Sequence, residues 1–385
     1  MNTLLKLSFL NSPTRLVLTL VAALIIYSHE ANATTSFAQI NLVTDDQSAN
    51  SAQITDTSLK NPWGLSFGTA GPFWVSDNAT GVSTLFNVSP TTQKPTKLGL
   101  TVAIPGAGNV TGQVFNNSTG FNGDAFLFVS EDGTVSGWRG ALGTTAETLV
   151  TSSASNLYKG AAIASFGGNS YLYAANFNTG AVDVLKGSPG AQNLAGTFTD
   201  PNLPSGFSPF NIQALGDKLY VAYALKDSAS PDEVAGAGLG MVSVFDLQGN
   251  LEKRLVTGGA LNAPWGLAIA PSSFGEFAGD LLVGNFGDGT INAYNLINGS
   301  LVGQLKDSNG QVLKIDGLWA LSAGNGGSAG SSQAIYFTAG PGDEAHGLFG
   351  AITVVPLPAA FWLFGSALLG FRVFGKPKKV GLLGA

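Results

Sequence analysis

The sequence predicts an all-β fold, a six-bladed β-propeller, with a short apolar segment at each end of the chain. Three observations carry this. A short motif recurs about every 50 residues; each copy is followed by two further strand-like runs separated by a Gly/Asn/Asp turn; and the composition suits strands and tight turns. The 385 residues include 52 Gly and only 11% charged side chains, which leaves little material for long solvated helices.

The repeat is clearest as Asn61-Pro62-Trp63-Gly64-Leu65 and Asn262-Ala263-Pro264-Trp265-Gly266-Leu267. Weaker copies are Asp316-Gly317-Leu318-Trp319-Ala320-Leu321 and Ser208-Pro209-Phe210-Asn211-Ile212, and degenerate ones begin at Thr111 and Tyr158. Aligning on residues 63, 113, 160, 210, 265 and 319 gives a period of about 50, which is the size of one small propeller sheet. The second run of each unit (Phe73–Ser76 in the first) and the third (Val82–Phe86) are β-rich and bounded by turn residues. One such sheet cannot cover both its faces; six stacked around an axis can, and ring closure leaves only short edges. A solenoid would have a period nearer 20 to 25 residues, and a sandwich would not give six in-phase copies. Residues 36–43 precede the first unit and are expected to supply the outer strand of the sixth blade.

The two ends read differently. At the N-terminus Lys6 and Arg15 give a positive region ahead of an apolar run of 12 residues, 16–27, and Ala31-Asn32-Ala33 forms an A-x-A site. This is the pattern of a signal peptide over residues 1–33, with Ala31 and Ala33 as the cleavage residues. At the C-terminus Val355-Pro356-Leu357-Pro358 breaks regular structure, residues 359–371 are almost wholly apolar, and Arg372, Lys376, Lys378 and Lys379 follow. Residues 352–374 are just long enough to span a bilayer as a helix, with the basic end on the cytoplasmic side of an inner membrane. The domains are therefore read as signal peptide 1–33, propeller 34–353 and tail 354–385.

Charge and residue inventory exclude several functions. Residues 34–353 hold 12 Lys and Arg against 23 Asp and Glu, a net charge of −11, which argues against nucleic acid as a partner. The chain has no Cys, so thiolate catalysis, disulfides and Cys-based metal sites are absent. Of the two His, His29 lies in the signal segment and His346 in a turn-like stretch.

The repeated motif resembles that of NHL-type and gluconolactonase-like propellers, and this resemblance implies that the motif and the turn after the second run share one face. Trp63, Phe210, Trp265 and Trp319 are then expected to ring one mouth of the central channel, with Asp77, Asn78, Asn176, Asn285, Asp288 and Asp343 nearby. Aromatic faces with orienting Asn and Asp suit a carbohydrate or other small ligand; the same residues also serve as blade packing and hairpin chemistry. An insertion at 226–240 carries Asp232 and Glu233 to this face. With Asp288 they are the oxygen ligands a Ca²⁺ or other divalent cation would need, although no defined cation loop is matched.

The text VPLPAAFWLFGSALLG followed by basic residues closely resembles the PEP-CTERM tail of Gram-negative bacteria, carried by Val355, Pro356, Pro358, Arg372, Lys376, Lys378 and Lys379. The blade motif resembles NHL-type and gluconolactonase-like propellers, and the combination resembles a family of six-bladed propellers with PEP-CTERM tails. The resemblance implies recognition by an exosortase-type membrane enzyme and export to the cell surface, periplasm or extracellular matrix. It implies a binding or structural module; the alternative is a divalent-cation-dependent propeller hydrolase or lactonase.

Overall fold

The computed structural model describes residues 35–107 and 109–355. The signal residues Ala31 and Ala33, and the tail residues Pro356, Pro358, Arg372, Lys376, Lys378 and Lys379, lie outside them. Among the described residues no helix is long and apolar enough to cross a membrane.

Six antiparallel sheets follow one another along the chain. Their innermost strands are Pro62–Phe67, Val110–Phe115, Tyr158–Phe166, Phe207–Leu215, Pro264–Ile269 and Leu318–Ala323. Each packs on the next, and the sixth returns to the first. Blades 1, 2 and 5 have four strands and blade 3 has three; blade 4 adds the short strand Glu233–Val234, built from the insertion, to its four. The face on which the innermost strands begin is the upper face below.

The ring closes as the sequence predicts. Phe37–Thr44 pairs antiparallel with Leu348–Val354 as the outer strand of blade 6, and Ile54–Thr55 pairs parallel to it. The Val355 amide donates to Ser36 O at 2.8 Å. His346 belongs to this closure: its Nδ1 lies 3.3 Å from Asp45 Oδ2, and the Gly347 amide donates to Asp45 Oδ1 at 2.9 Å. Between the blades lie apolar clusters such as the one around Phe37, Phe274, Phe277 and Phe337.

The repeated motif marks a β-bulge at the upper start of each innermost strand. Register breaks fall between Pro62 and Leu65, Val110 and Gln113, Tyr158 and Gly160, Pro209 and Asn211, Pro264 and Gly266, and Leu318 and Leu321. An extra residue turns its neighbour out of the pleat. The equivalent positions are thus Trp63, Thr111, Lys159, Phe210, Trp265 and Trp319. Blades 2 and 3 differ from the sequence alignment, which put Gln113 and Gly160 there; without an aromatic anchor the register slipped by two residues and by one. The Gly after the bulge has its own cause. A Cβ on Gly64 would lie 2.6 Å from Thr111 O, one on Gly112 2.6 Å from Ala161 N, and one on Gly266 2.6 Å from Trp319 O. Adjacent backbones approach so closely that a side chain has no room.

Candidate functional site

The bulge residues decide what the channel becomes. Trp63, Phe210, Trp265 and Trp319 are all buried and pack on one another with Phe177 and Phe286. Trp319 stacks on Trp63 with centroids 3.6 Å apart and on Phe286 at 4.2 Å, and Trp265 meets both tryptophans edge-on. The aromatics therefore plug the upper channel, and their ring faces are spent on each other. Below the plug a cavity of about 20 Å³ lined by Gly64, Gln113, Asn211 and Leu267 remains, the room of about one water.

Lys159 breaks the pattern. At a position aromatic in four of six blades it places an ammonium, with only 2% of its side chain exposed. Nζ lies 5.0 Å from the Trp63 ring centroid and 5.9 Å from that of Phe177, within cation–π reach. It donates to Glu131 Oε1 at 2.7 Å. Glu131 stands just past the second strand of blade 2, where blades 3 and 5 place Phe177 and Phe286. Burial acts to lower the Lys159 pKa, but the pairing with Glu131 and the fields of Glu233 and Asp232 outweigh it, so the pKa lies above the usual lysine value.

A polar network spreads from this ion pair across the plug. Asn61 takes a left-handed backbone, φ 45°, as do Ala263 (45°) and Gly317 (63°) at the same position in blades 5 and 6. That conformation aims the Asn61 amide inward: Oδ1 accepts from Trp319 Nε1 at 3.0 Å, and Nδ2 donates to Glu344 Oε2 and, at 3.3 Å, to Asn78 Oδ1. Asn78 Nδ2 donates to Glu131 Oε2 at 3.5 Å. Burial raises the Glu344 carboxyl above its ordinary range against the donation from Asn61 and the charge of Lys159. Glu233 arrives on the insertion, which is anchored by Gly236 N donating to Asn262 Oδ1 at 2.6 Å and Ala263 N to Leu239 O at 3.0 Å. Burial pushes its carboxyl up to about 7, with Lys159 opposing the shift.

No family model matches the chain. "Uncharacterized protein R648" of Acanthamoeba polyphaga mimivirus is 31% identical over 328 residues, covering 79% of this chain and 77% of the viral protein. "Uncharacterized protein L690" of the same virus is 31% identical over 321 residues, covering 77% and 81%. The chain belongs to their family. Among solved structures, virginiamycin B lyase from Staphylococcus aureus superposes with a TM-score of 0.45 at 10% identity, over 83% of this chain and 100% of that one. A PQQ-bound aldose sugar dehydrogenase from Streptomyces coelicolor gives 0.45 at 13%, over 83% and 99%.

In this family member the other residues predicted to line the mouth divide by location. Asn78 and Glu233 join the network, and Asp232 reaches it through its field. Asp77 is buried away from the axis, where it accepts from Thr84 Oγ1 at 2.7 Å; burial holds its carboxyl well above the usual range. Asn176 ties the end of its strand to the rest of blade 3, donating to Asp183 Oδ2 at 2.8 Å and accepting from Leu157 N at 3.2 Å. Asn285 and Asp288 serve one turn together, with Asp288 Oδ1 accepting from Thr290 Oγ1 at 2.7 Å and from Asn285 Nδ2 at 3.2 Å. Asp343 is an exposed turn residue with φ 52°. Among the described residues no three His, Asp or Glu side chains converge to hold a metal ion. Glu131, Lys159 and Glu344 escaped the sequence reading as a site. The one signal was a lysine where the repeat carries an aromatic.

The raised Glu233 carboxyl gives a pH signature. Its folded value, about 7, lies above the unfolded 4.5. The stabilising contribution is therefore complete below 4.5, is lost as pH rises from 4.5 through 7, and is gone above that. Thermal unfolding from pH 4 to 9 is expected to show a component of this shape that Glu233→Gln lacks; parallel curves for the two proteins would refute it.

Proposed function

We propose that this chain is an exported binding module whose upper face takes a small, hydroxyl-rich ligand carrying a positive charge, an amino sugar being the simplest case. The observation that carries this is the break in the repeat at Lys159 and Glu131. Four blades fill the bulge position with buried aromatics, whereas here a buried ammonium is surrounded by Glu131, Asp232, Glu233 and Glu344. Four carboxylates facing one ammonium leave a negative field that attracts cations, and carboxylates offer only acceptors, which suit hydroxyl and ammonium donors. The closed aromatic floor beneath keeps the cluster on the surface side and rigid.

The remaining readings belong to the same proposal. Residues 1–33 act as a signal peptide. Residues 354–385 act as a PEP-CTERM signal that inserts as a membrane helix and is read by an exosortase-type enzyme, delivering the propeller to the cell envelope or matrix.

Calorimetric titration of the full chain with glucosamine, glucose and CaCl₂ at pH 7.5 tests the ligand class. Glucosamine is expected to bind and glucose to bind at least about tenfold more weakly, with Glu344→Gln costing glucosamine about tenfold, the worth of one hydrogen bond to a charged group. Equal binding of the two sugars, or none, would overturn the reading. Binding of CaCl₂ alone would favour the divalent-cation alternative.

A further inference from the structure

We propose that the central channel beneath the aromatic plug is a second ligand site, opening on the lower face, which takes an uncharged molecule built of an apolar ring or chain with one N–H or hydroxyl. It is independent of the reading of the upper mouth.

The channel has one closed end. Trp63, Phe210, Trp265 and Trp319 pack on one another above it, and the cavity of about 20 Å³ under them shares Leu65, Gln113 and Gln213 with a wider one of about 220 Å³. That cavity in turn shares Phe67, Phe115, Ile163 and Ala214 with a funnel of about 470 Å³. These four residues lie in the lower halves of the innermost strands. The three spaces therefore form one passage that widens downward from the plug. The funnel alone falls in the range of about 300–1,000 Å³ that small-molecule sites occupy, and a passage closed at one end suits a small molecule better than a chain that threads.

The wall sets the chemistry. Among the described residues no Asp, Glu, Lys, Arg or His lines the wider cavity or the funnel. The lower face does carry charge, on Asp217, Lys218, Glu252, Glu276 and Asp280. None of these reaches the channel wall, and Lys218 is taken up by ion pairs with Glu252 and, at 3.8 Å, with Asp217. A charged ligand would give up its hydration in the channel with no countercharge in return; an uncharged one gives up little. Phe67 and Phe115 are only half-buried and both front the funnel. Water held loosely against such walls is displaced with gain by an apolar group.

Two polar groups are left over beside this wall. Gln113, at the neck, spends its amide on Trp74 O, Gly64 O and the hydroxyls of Ser76 and Ser83. Gln213, half-buried on the same neck from blade 4, has no side-chain hydrogen bond among the described residues. The Ser66 hydroxyl, beside the wider cavity, is buried and likewise unpaired. Buried polar groups are ordinarily paired, and a ligand N–H or hydroxyl held at the neck supplies the missing partner to the Gln213 amide.

Fluorescence titration of the full chain with phenylnaphthylamine, an uncharged ring system with one N–H, tests this against its anionic analogue anilinonaphthalene sulfonate. Phenylnaphthylamine is expected to saturate at one per chain and to bind at least about tenfold more tightly than the sulfonate, which has no countercharge in the channel. Ser165→Trp, on an exposed side chain of the funnel wall, should occupy the funnel and weaken the uncharged dye at least about tenfold with an unchanged melting temperature. Gln213→Leu keeps the volume and removes the amide; it should weaken the dye about fivefold, the worth of one neutral hydrogen bond. Excess glucosamine should not displace the dye, because the plug separates the two mouths. Displacement would place the dye at the upper mouth and overturn the proposal. Absence of binding, equal affinity for the two dyes, or a signal that survives both variants, as dye on the exposed tips Ile297 and Leu301 would give, would also overturn it.

Discussion

Lys159→Met is expected to lower the stability of the propeller by about 3 kcal/mol, an effect far larger than a surface lysine would give. The side chain volume is nearly conserved, so packing changes little. What changes is electrostatic: Glu131, accepting from Nζ at 2.7 Å, loses its countercharge, and Glu233 and Glu344 lose the field that opposes their burial. A buried pair is weak evidence of net stabilisation, but removing one partner strands the other. The double-mutant cycle separates these. Glu131→Gln alone should cost less, because Glu131 is more exposed than Lys159. The double variant should recover a good part of the Lys159→Met loss. Urea unfolding of the four proteins reads the coupling; a Lys159→Met change below about 0.5 kcal/mol would show that the ammonium is not part of the architecture. The same variant bears on pH: without the opposing charge of Lys159 the Glu233 carboxyl rises further, and the fall in stability with pH extends to higher values.

The blades were legible in the sequence wherever a residue had to do the same job in each repeat. Gly64 and Gly266 stand where the next innermost strand leaves no room for a Cβ, and Trp63, Trp265 and Trp319 fill the axis, so Pro-Trp-Gly text marks the bulge. The third-run positions also follow, since their apolar alternation reports burial between sheets. The site was less legible for two physical reasons. Asn176, Asn285 and Asp288 look like ligand groups in a list of residues, yet their oxygens and amides are satisfied within their own turns and the strand entries of their own blades, and short-range turn chemistry uses the same residue types as recognition. Conversely Glu131, Lys159 and Glu344 come from three separate blades, the second, third and sixth. Nothing in the local text records that closure of the ring brings them over one aromatic floor. Lys159 also sat in a degenerate copy, where its own departure from the aromatic pattern hid the register.

Trp319→Ala should be the most damaging single truncation on the axis, at about 3–5 kcal/mol. The indole is fully buried, stacks between Trp63 and Phe286, meets Trp265 edge-on, and donates from Nε1 to Asn61 Oδ1 at 3.0 Å. Removing it opens a cavity bounded by rigid strands from blades 1, 5 and 6, which cannot collapse into it, and it leaves the Asn61 carbonyl without its indole donor. Trp319→Phe keeps most of the volume and loses the hydrogen bond, so it should cost about 1–2 kcal/mol. The pair of variants also separates two roles for the aromatics. If they formed an open ring that stacks on sugars, Trp319→Ala would abolish ligand binding with little change in unfolding. As a closed plug, it should weaken ligand binding only as far as Asn61 and Glu344 lose their positions, while the urea midpoint falls sharply. Comparing the two losses in one preparation decides whether the floor of the site contacts the ligand or only holds up the network that does.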